Sequence, residues 1–301
     1  MEPSCVSASL HRRDACELGE GPFWHDEQLW WVDIERGLLL SADIHGNLIE
    51  NVAFGQRIGA AVPAGDRAFL VALEREIARL NLDSKHWETI ARPDDMPEGS
   101  RFNDGKCDPV GRWIIGTMSH GILKTSSLYS LHRDYSLHCL RGEISISNGL
   151  AWSADGETMY YIDTMALCVF AYDYNLETGA ISGERVVLRF SEKEGWPDGM
   201  TIDREGRLWI GFWDGWAVRC YQPKTGLCEA VVQLPCSRPT SCCFGGAGLN
   251  RLFITTARYG LSEQEQLQQP LAGSLFICDP ETTGFPTSNF AYDPRQDTRA
   301  V

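Results

Sequence analysis

Asp203-Arg-Glu-Gly206 leads into Leu208-Trp-Ile-Gly-Phe212, a polar turn followed by a short run rich in β-forming residues. The same unit recurs at Leu29-Trp-Trp-Val-Asp33, Ala68-Phe-Leu-Val-Ala72, Arg112-Trp-Ile-Ile-Gly116, Met159-Tyr-Tyr-Ile-Asp163 and Leu252-Phe-Ile-Thr-Thr256. Taking the first bulky residue of each run as an anchor gives Trp30, Phe69, Trp113, Tyr160, Trp209 and Phe253, spaced by 39, 44, 47, 49 and 44 residues. Turn signals such as Asp108-Pro-Val-Gly111 and Ala154-Asp-Gly156 stand before the anchors, as expected for hairpins between antiparallel strands. A period of 40–50 residues is the signature of a repeat architecture.

Each unit continues with two further β runs. Val169-Phe-Ala-Tyr172 is followed by Val186-Val-Leu-Arg-Phe190, and Ala217-Val-Arg-Cys-Tyr221 by Glu229-Ala-Val-Val232. With the run before the anchor, each repeat supplies about four strands, which is one propeller blade. The expectation is an all-β, six-bladed β-propeller of four-stranded antiparallel blades, a single domain over residues 1–301. The N-terminal run Cys5-Val-Ser-Ala-Ser-Leu10 is expected to pair with the last blade and close the ring. A pair of β-sandwiches would use similar strands but would not require this period.

Composition narrows the function. The formal charge is −14, so no basic excess exists to displace counterions from nucleic-acid phosphates. No apolar run of about 18 residues occurs, so no membrane span is expected, and the charged N-terminus does not read as a signal peptide. The 11 cysteines are odd in number and form no C-x-x-C pair, so they read as reduced thiols of a cytoplasmic protein, mostly in the core. Adjacent Cys242 and Cys243 would point to opposite faces of a strand. H-E-x-x-H, Walker, G-x-G-x-x-G and G-x-S-x-G motifs are all missing. Closed radial packing suits a monomer or weak homo-oligomer.

A second set of residues keeps step with the anchors. Glu20 lies 10 positions before Trp30, Asn103 10 before Trp113, Asn148 12 before Tyr160 and Asp198 11 before Trp209. Each is followed by glycine, directly or one residue later. Asn-Gly and Asp-Gly can be simple turn formers, but the hairpin turns are already supplied by other residues. If the anchors mark second strands, these four side chains start the innermost strands, which converge on the central channel of a propeller. Two carboxylates and an amide meeting there repel one another unless a cation lies among them. Such oxygen donors suit Ca²⁺, Mg²⁺ or Mn²⁺, and Zn²⁺ or Fe²⁺ when water completes the shell.

Gly19-Glu-Gly-Pro22, Asn103-Asp-Gly-Lys106, Ser147-Asn-Gly-Leu150, Pro197-Asp-Gly-Met200 and Thr240-Ser-Cys-Cys-Phe-Gly-Gly246 together resemble the motifs of the regucalcin/gluconolactonase family, in the right order. The resemblance implies a sugar-lactone hydrolase with one divalent metal ion in the channel. It implies Glu20, Asn148 and Asp198 as metal ligands, Asp198 also as catalytic base, and Arg101 and Asn103 as substrate contacts. Regucalcin-like members carry an acidic residue after the Thr-Met of the third repeat, where this chain has Ser119-His120. In that respect, and at Thr255-Thr-Ala-Arg-Tyr-Gly-Leu261, it looks more like the bacterial xylono- and arabinolactonases.

The expected activity is therefore metal-dependent hydrolysis of an aldonolactone, a pentono- or hexono-1,4- or 1,5-lactone, to the aldonic acid of carbohydrate catabolism. The rivals are another metal-dependent esterase or phosphotriesterase on the same fold, and a non-catalytic metal-binding scaffold. Trp196, Trp213, Trp216 and Tyr259 fall near the same end of the channel and are either pocket floor or core.

Overall fold

The structure is a computed structural model that describes residues 3–293. The expected domain bounds also take in residues 1, 2 and 294–301, which lie outside the described residues. Six sheets, each with four antiparallel strands and one with an added fifth, form the blades, with the strand runs read from the sequence as their second, third and fourth members. The first blade runs Gly19–His25, Gln28–Asp33, Leu38–Ala42, Leu48–Ala53. The innermost strands of the next four are Ile58–Pro63, Ser100–Cys107, Ser147–Trp152 and Trp196–Ile202. The sixth blade has Pro239–Gly245, Arg251–Thr256 and Leu275–Cys278, and borrows its outer strand from the N-terminus.

That closure is finer than the sequence suggests. Ser9–Arg12 pairs antiparallel with Leu275–Cys278, as expected. Ser4–Ser7 instead runs parallel to Leu227–Gln233 and becomes a fifth strand of the fifth blade. One terminal segment thus clasps two neighbouring blades.

Six buried apolar clusters fill the six gaps between blades. Strand alternation serves two gaps at once. Trp30 packs toward the second blade and Trp31 toward the sixth, while Cys242 and Cys243 likewise enter different clusters. This explains why the second strands are continuous apolar runs: both faces are covered. Tyr160 departs from the pattern. It is half-buried, and its neighbour Tyr161 takes the core position. Eight of the eleven thiols are buried, in agreement with their reading as core residues. Among the described residues, no helix is long and apolar enough to cross a membrane.

In every blade, the register between first and second strand slips near the start of the innermost strand. These bulges re-aim side chains and are favoured beside functional sites. Glu20, Asn103, Asn148 and Asp198 all sit at one.

Candidate active site

The bulges bring the sequence-selected residues together. Glu20, Arg101, Asn103, Asn148 and Asp198 line one cavity of about 320 Å³ at the end of the channel where the innermost strands begin. All five are buried.

The glycines of the Asn-Gly and Asp-Gly pairs are not turn residues. A Cβ on Gly149 would lie 2.8 Å from the carbonyl oxygen of Asp198, and one on Gly199 would lie 2.1 Å from Ser241 Oγ. The innermost strands converge so closely that only hydrogen fits at these two places. The glycines thereby let Asn148 and Asp198 approach the channel axis.

A chain of hydrogen bonds fixes the amides. Arg101 Nη1 donates to Phe102 O at 2.9 Å and to Asn103 Oδ1 at 2.6 Å. Asn103 Nδ2 donates to Ser147 O at 2.8 Å and to Asn148 Oδ1 at 2.9 Å. Asn148 Nδ2 donates to Thr164 Oγ1 at 2.7 Å, whose hydroxyl donates on to Pro197 O at 2.8 Å. The third, fourth and fifth blades are thus tied through the site. The sixth is tied to the first by Thr240 Oγ1 donating to Gly19 O at 2.6 Å, beside Glu20. With its amide nitrogen committed to Thr164, Asn148 is oriented with its carbonyl oxygen as the remaining acceptor.

The carboxylates are under electrostatic stress. Burial, then Asp198 and Asp104, push the Glu20 carboxyl well above its usual range. Burial and Asp104 do the same to Asp198, whose side chain is in hydrogen-bond contact with Glu20. Two buried carboxyls in contact cannot both ionise without a compensating cation. Arg101 is buried as well, and loss of hydration pulls its guanidinium down to about 10. Its Nε has no hydrogen-bond partner among the described residues. Among those residues, no group of three His, Cys, Asp or Glu could hold a metal ion. The candidate donors are therefore two carboxylates and an amide oxygen. That hard-oxygen set and its stressed charge fit a divalent cation.

Of the aromatics singled out in the sequence, Trp196, Trp213 and Tyr259 line the cavity, whereas Trp216 is exposed and does not. Ser119 is buried and bonded to Ser100, and His120 lines the cavity. Arg101 is buried and makes no ion pair among the described residues. Sequence reasoning missed three supports. Thr164 orients Asn148. The Asp33 carboxylate accepts the backbone N–H groups of Glu17 and Leu18, just ahead of Glu20. The Asp163 carboxylate accepts those of Ser145 and Ile146, just ahead of Asn148. A signal was present, since Asp33 and Asp163 close the same repeated run.

A family model described as the SMP-30/Gluconolactonase/LRE-like region matches residues 18–258, a span that includes every residue of the cluster. Regucalcin of Bos taurus is 36% identical over 281 residues, covering 91% of this chain and 94% of that protein. The putative sugar lactone lactonase YvrE of Bacillus subtilis is 37% identical over 291 residues, covering 96% of this chain and all of the other (100%). The solved structure of a calcium-binding protein, regucalcin, from Agrobacterium tumefaciens has a TM-score of 0.91 at 25% identity, over 96% of this chain and 99% of that one.

Proposed function

The chain belongs to the SMP-30/Gluconolactonase/LRE-like family, and on that premise we propose that it is a metal-dependent sugar-lactone hydrolase. The observation that carries this reading is the meeting of Glu20, Asn148 and Asp198 with Arg101 and Asn103 in one buried cavity on the channel. The curated relative named as a putative sugar lactone lactonase, matched along its whole length, supports the same reading.

Glu20, Asn148 and Asp198 would hold the cation. The chemistry a divalent ion supplies when bound is polarisation of a carbonyl and a lower pKa for water, from about 15.7 to near 7. The protein does the rest. Asp198 accepts a proton as water oxygen bonds to the lactone carbonyl carbon. The ring C–O bond then breaks, the ring oxygen takes up a proton, and the open-chain hydroxy acid leaves. Arg101 Nη2, which bonds to none of the described residues, is the donor available to a developing oxyanion or a ring hydroxyl. Asn103 holds the Arg101 fork in place through Oδ1, and Thr164 holds Asn148.

The test is acid release from a panel of aldonolactones, with five- and six-membered rings in the D and L series. Rates are read after exhaustive chelation and after return of Ca²⁺, Mn²⁺, Zn²⁺, Mg²⁺ or Fe²⁺. Activity should vanish on chelation and return with at least one ion. Full activity after chelation would remove the metal from the reading. Turnover of aryl esters or phosphotriesters alone would redirect it to another hydrolase, and turnover of nothing would leave a binding scaffold.

A further inference from the structure

Above the polar floor the cavity changes character. Leu18, Ile34, Met118, Ile146 and Met165 all face it, and each offers only hydrocarbon or thioether. They come from the first, third and fourth blades, so the apolar surface wraps more than one side. Trp196, Trp213 and Tyr259 extend it across the fifth and sixth. The aromatic part is braced. Arg238 stacks 4.7 Å from the centre of the Trp213 ring, pairs with Asp214 at 2.7 Å, and donates to the backbone oxygen of Tyr259.

The polar groups able to serve ligand hydroxyls are few. Asn103 spends its amide nitrogen on Ser147 O and Asn148, and its Oδ1 receives Arg101. Thr164 both accepts from Asn148 and donates to Pro197 O. Glu20, Asp198 and the Asn148 oxygen are the candidate metal donors. That leaves Arg101 Nη2, His120, the Tyr259 hydroxyl and the indole N–H groups of Trp196 and Trp213. A fully hydroxylated hexonolactone enclosed here would press some of its hydroxyls on hydrocarbon, where a buried hydroxyl without a partner is costly.

Resting on the lactonase reading above, we infer that the preferred substrate class is a deoxygenated sugar lactone. Its carbonyl and the hydroxyls beside it meet Arg101 and the floor, while a methyl or short alkyl end replaces a hydroxylated carbon against the wall of Met118, Ile146 and Met165. The wall selects by hydrophobic burial at one end of the substrate and leaves the reacting end to the polar cluster.

The test compares kcat/KM for matched pairs, each aldonolactone beside its terminally deoxygenated counterpart of the same ring size and stereochemistry, using the metal-supplied full chain. The deoxygenated member should lead by ~10-fold to ~100-fold, the range over which an apolar pocket discriminates against an added hydroxyl. Met118→Gln and Met165→Gln should narrow that ratio several-fold. Two substitutions guard against one misfolding, because Met165 is exposed at the rim. Hydroxylated lactones turned over as well as their deoxygenated partners would overturn the inference and leave lactone hydrolysis standing. A preference that neither substitution alters would overturn the assignment to this wall. Hydrolysis of no lactone of either kind would remove the lactonase reading itself, and this inference with it.

Discussion

The channel has two ends, and they are built differently. At each end lies a cavity of about 320 Å³. Consecutive residues of one strand serve both, with Asn103 lining the near cavity, which holds Glu20 and Asp198, and Asp104 the far one, because the bulge turns them apart. At the far end a single carboxyl has a cation beside it. Burial leaves the Asp104 carboxyl raised, although Lys106 and the Gly105 N–H pull it partly back, and Lys106 Nζ donates to Met200 O at 2.9 Å. At the near end two carboxyls in contact share their cavity with one arginine whose own charge is strained by burial. Equal space with different neighbouring charge teaches that cavity size does not single out the candidate site. The pair of buried carboxyls in contact does.

Substitutions on the two sides should therefore separate sharply. The largest effect is expected at the proposed base. Asp198→Asn should lose ~10² or more in kcat with the thermal midpoint little changed. A near-normal rate with normal metal content would show that another group activates the water. A smaller effect is expected one contact further out. Thr164→Val removes the hydroxyl that orients Asn148 and should weaken metal affinity by ~10-fold or more, the usual scale for a partner that orients a ligand, as read by calorimetry with the activating ion. Unchanged affinity would mean that Asn148 needs no such support. The smallest is expected at the far end. Lys106→Met should leave lactone turnover within about twofold, and a large loss there would merge the two cavities into one functional unit.

Much of this was legible in the sequence because it was local. The 39–49-residue rhythm of Trp30, Phe69, Trp113, Tyr160, Trp209 and Phe253 reports strand, turn and blade directly. The offset of Glu20, Asn103, Asn148 and Asp198 survived into the fold because each repeat places its bulge at the same step. Less was legible where a residue's neighbour lies in another blade. Gly149 and Gly199 have no evident purpose in the sequence beyond a possible turn, and their need comes from Asp198 and Ser241 on adjacent strands. Cys5 to Leu10 read as one closing strand, yet the chain divides it between Val231 and Phe276 partners. Trp216 read like Trp213, and only the latter reaches the cavity.

By itself the sequence determined the repeating β units, the number of blades and the step at which an oxygen-bearing side chain recurs. Those follow from alternation and turn chemistry within a few tens of residues. Tertiary structure alone decided which oxygens share a cavity, which glycines are compelled, which apolar side chains line that cavity and which end of the channel brings two carboxyls into contact. Each of these depends on distances between strands far apart in the chain, set by packing six blades around one axis.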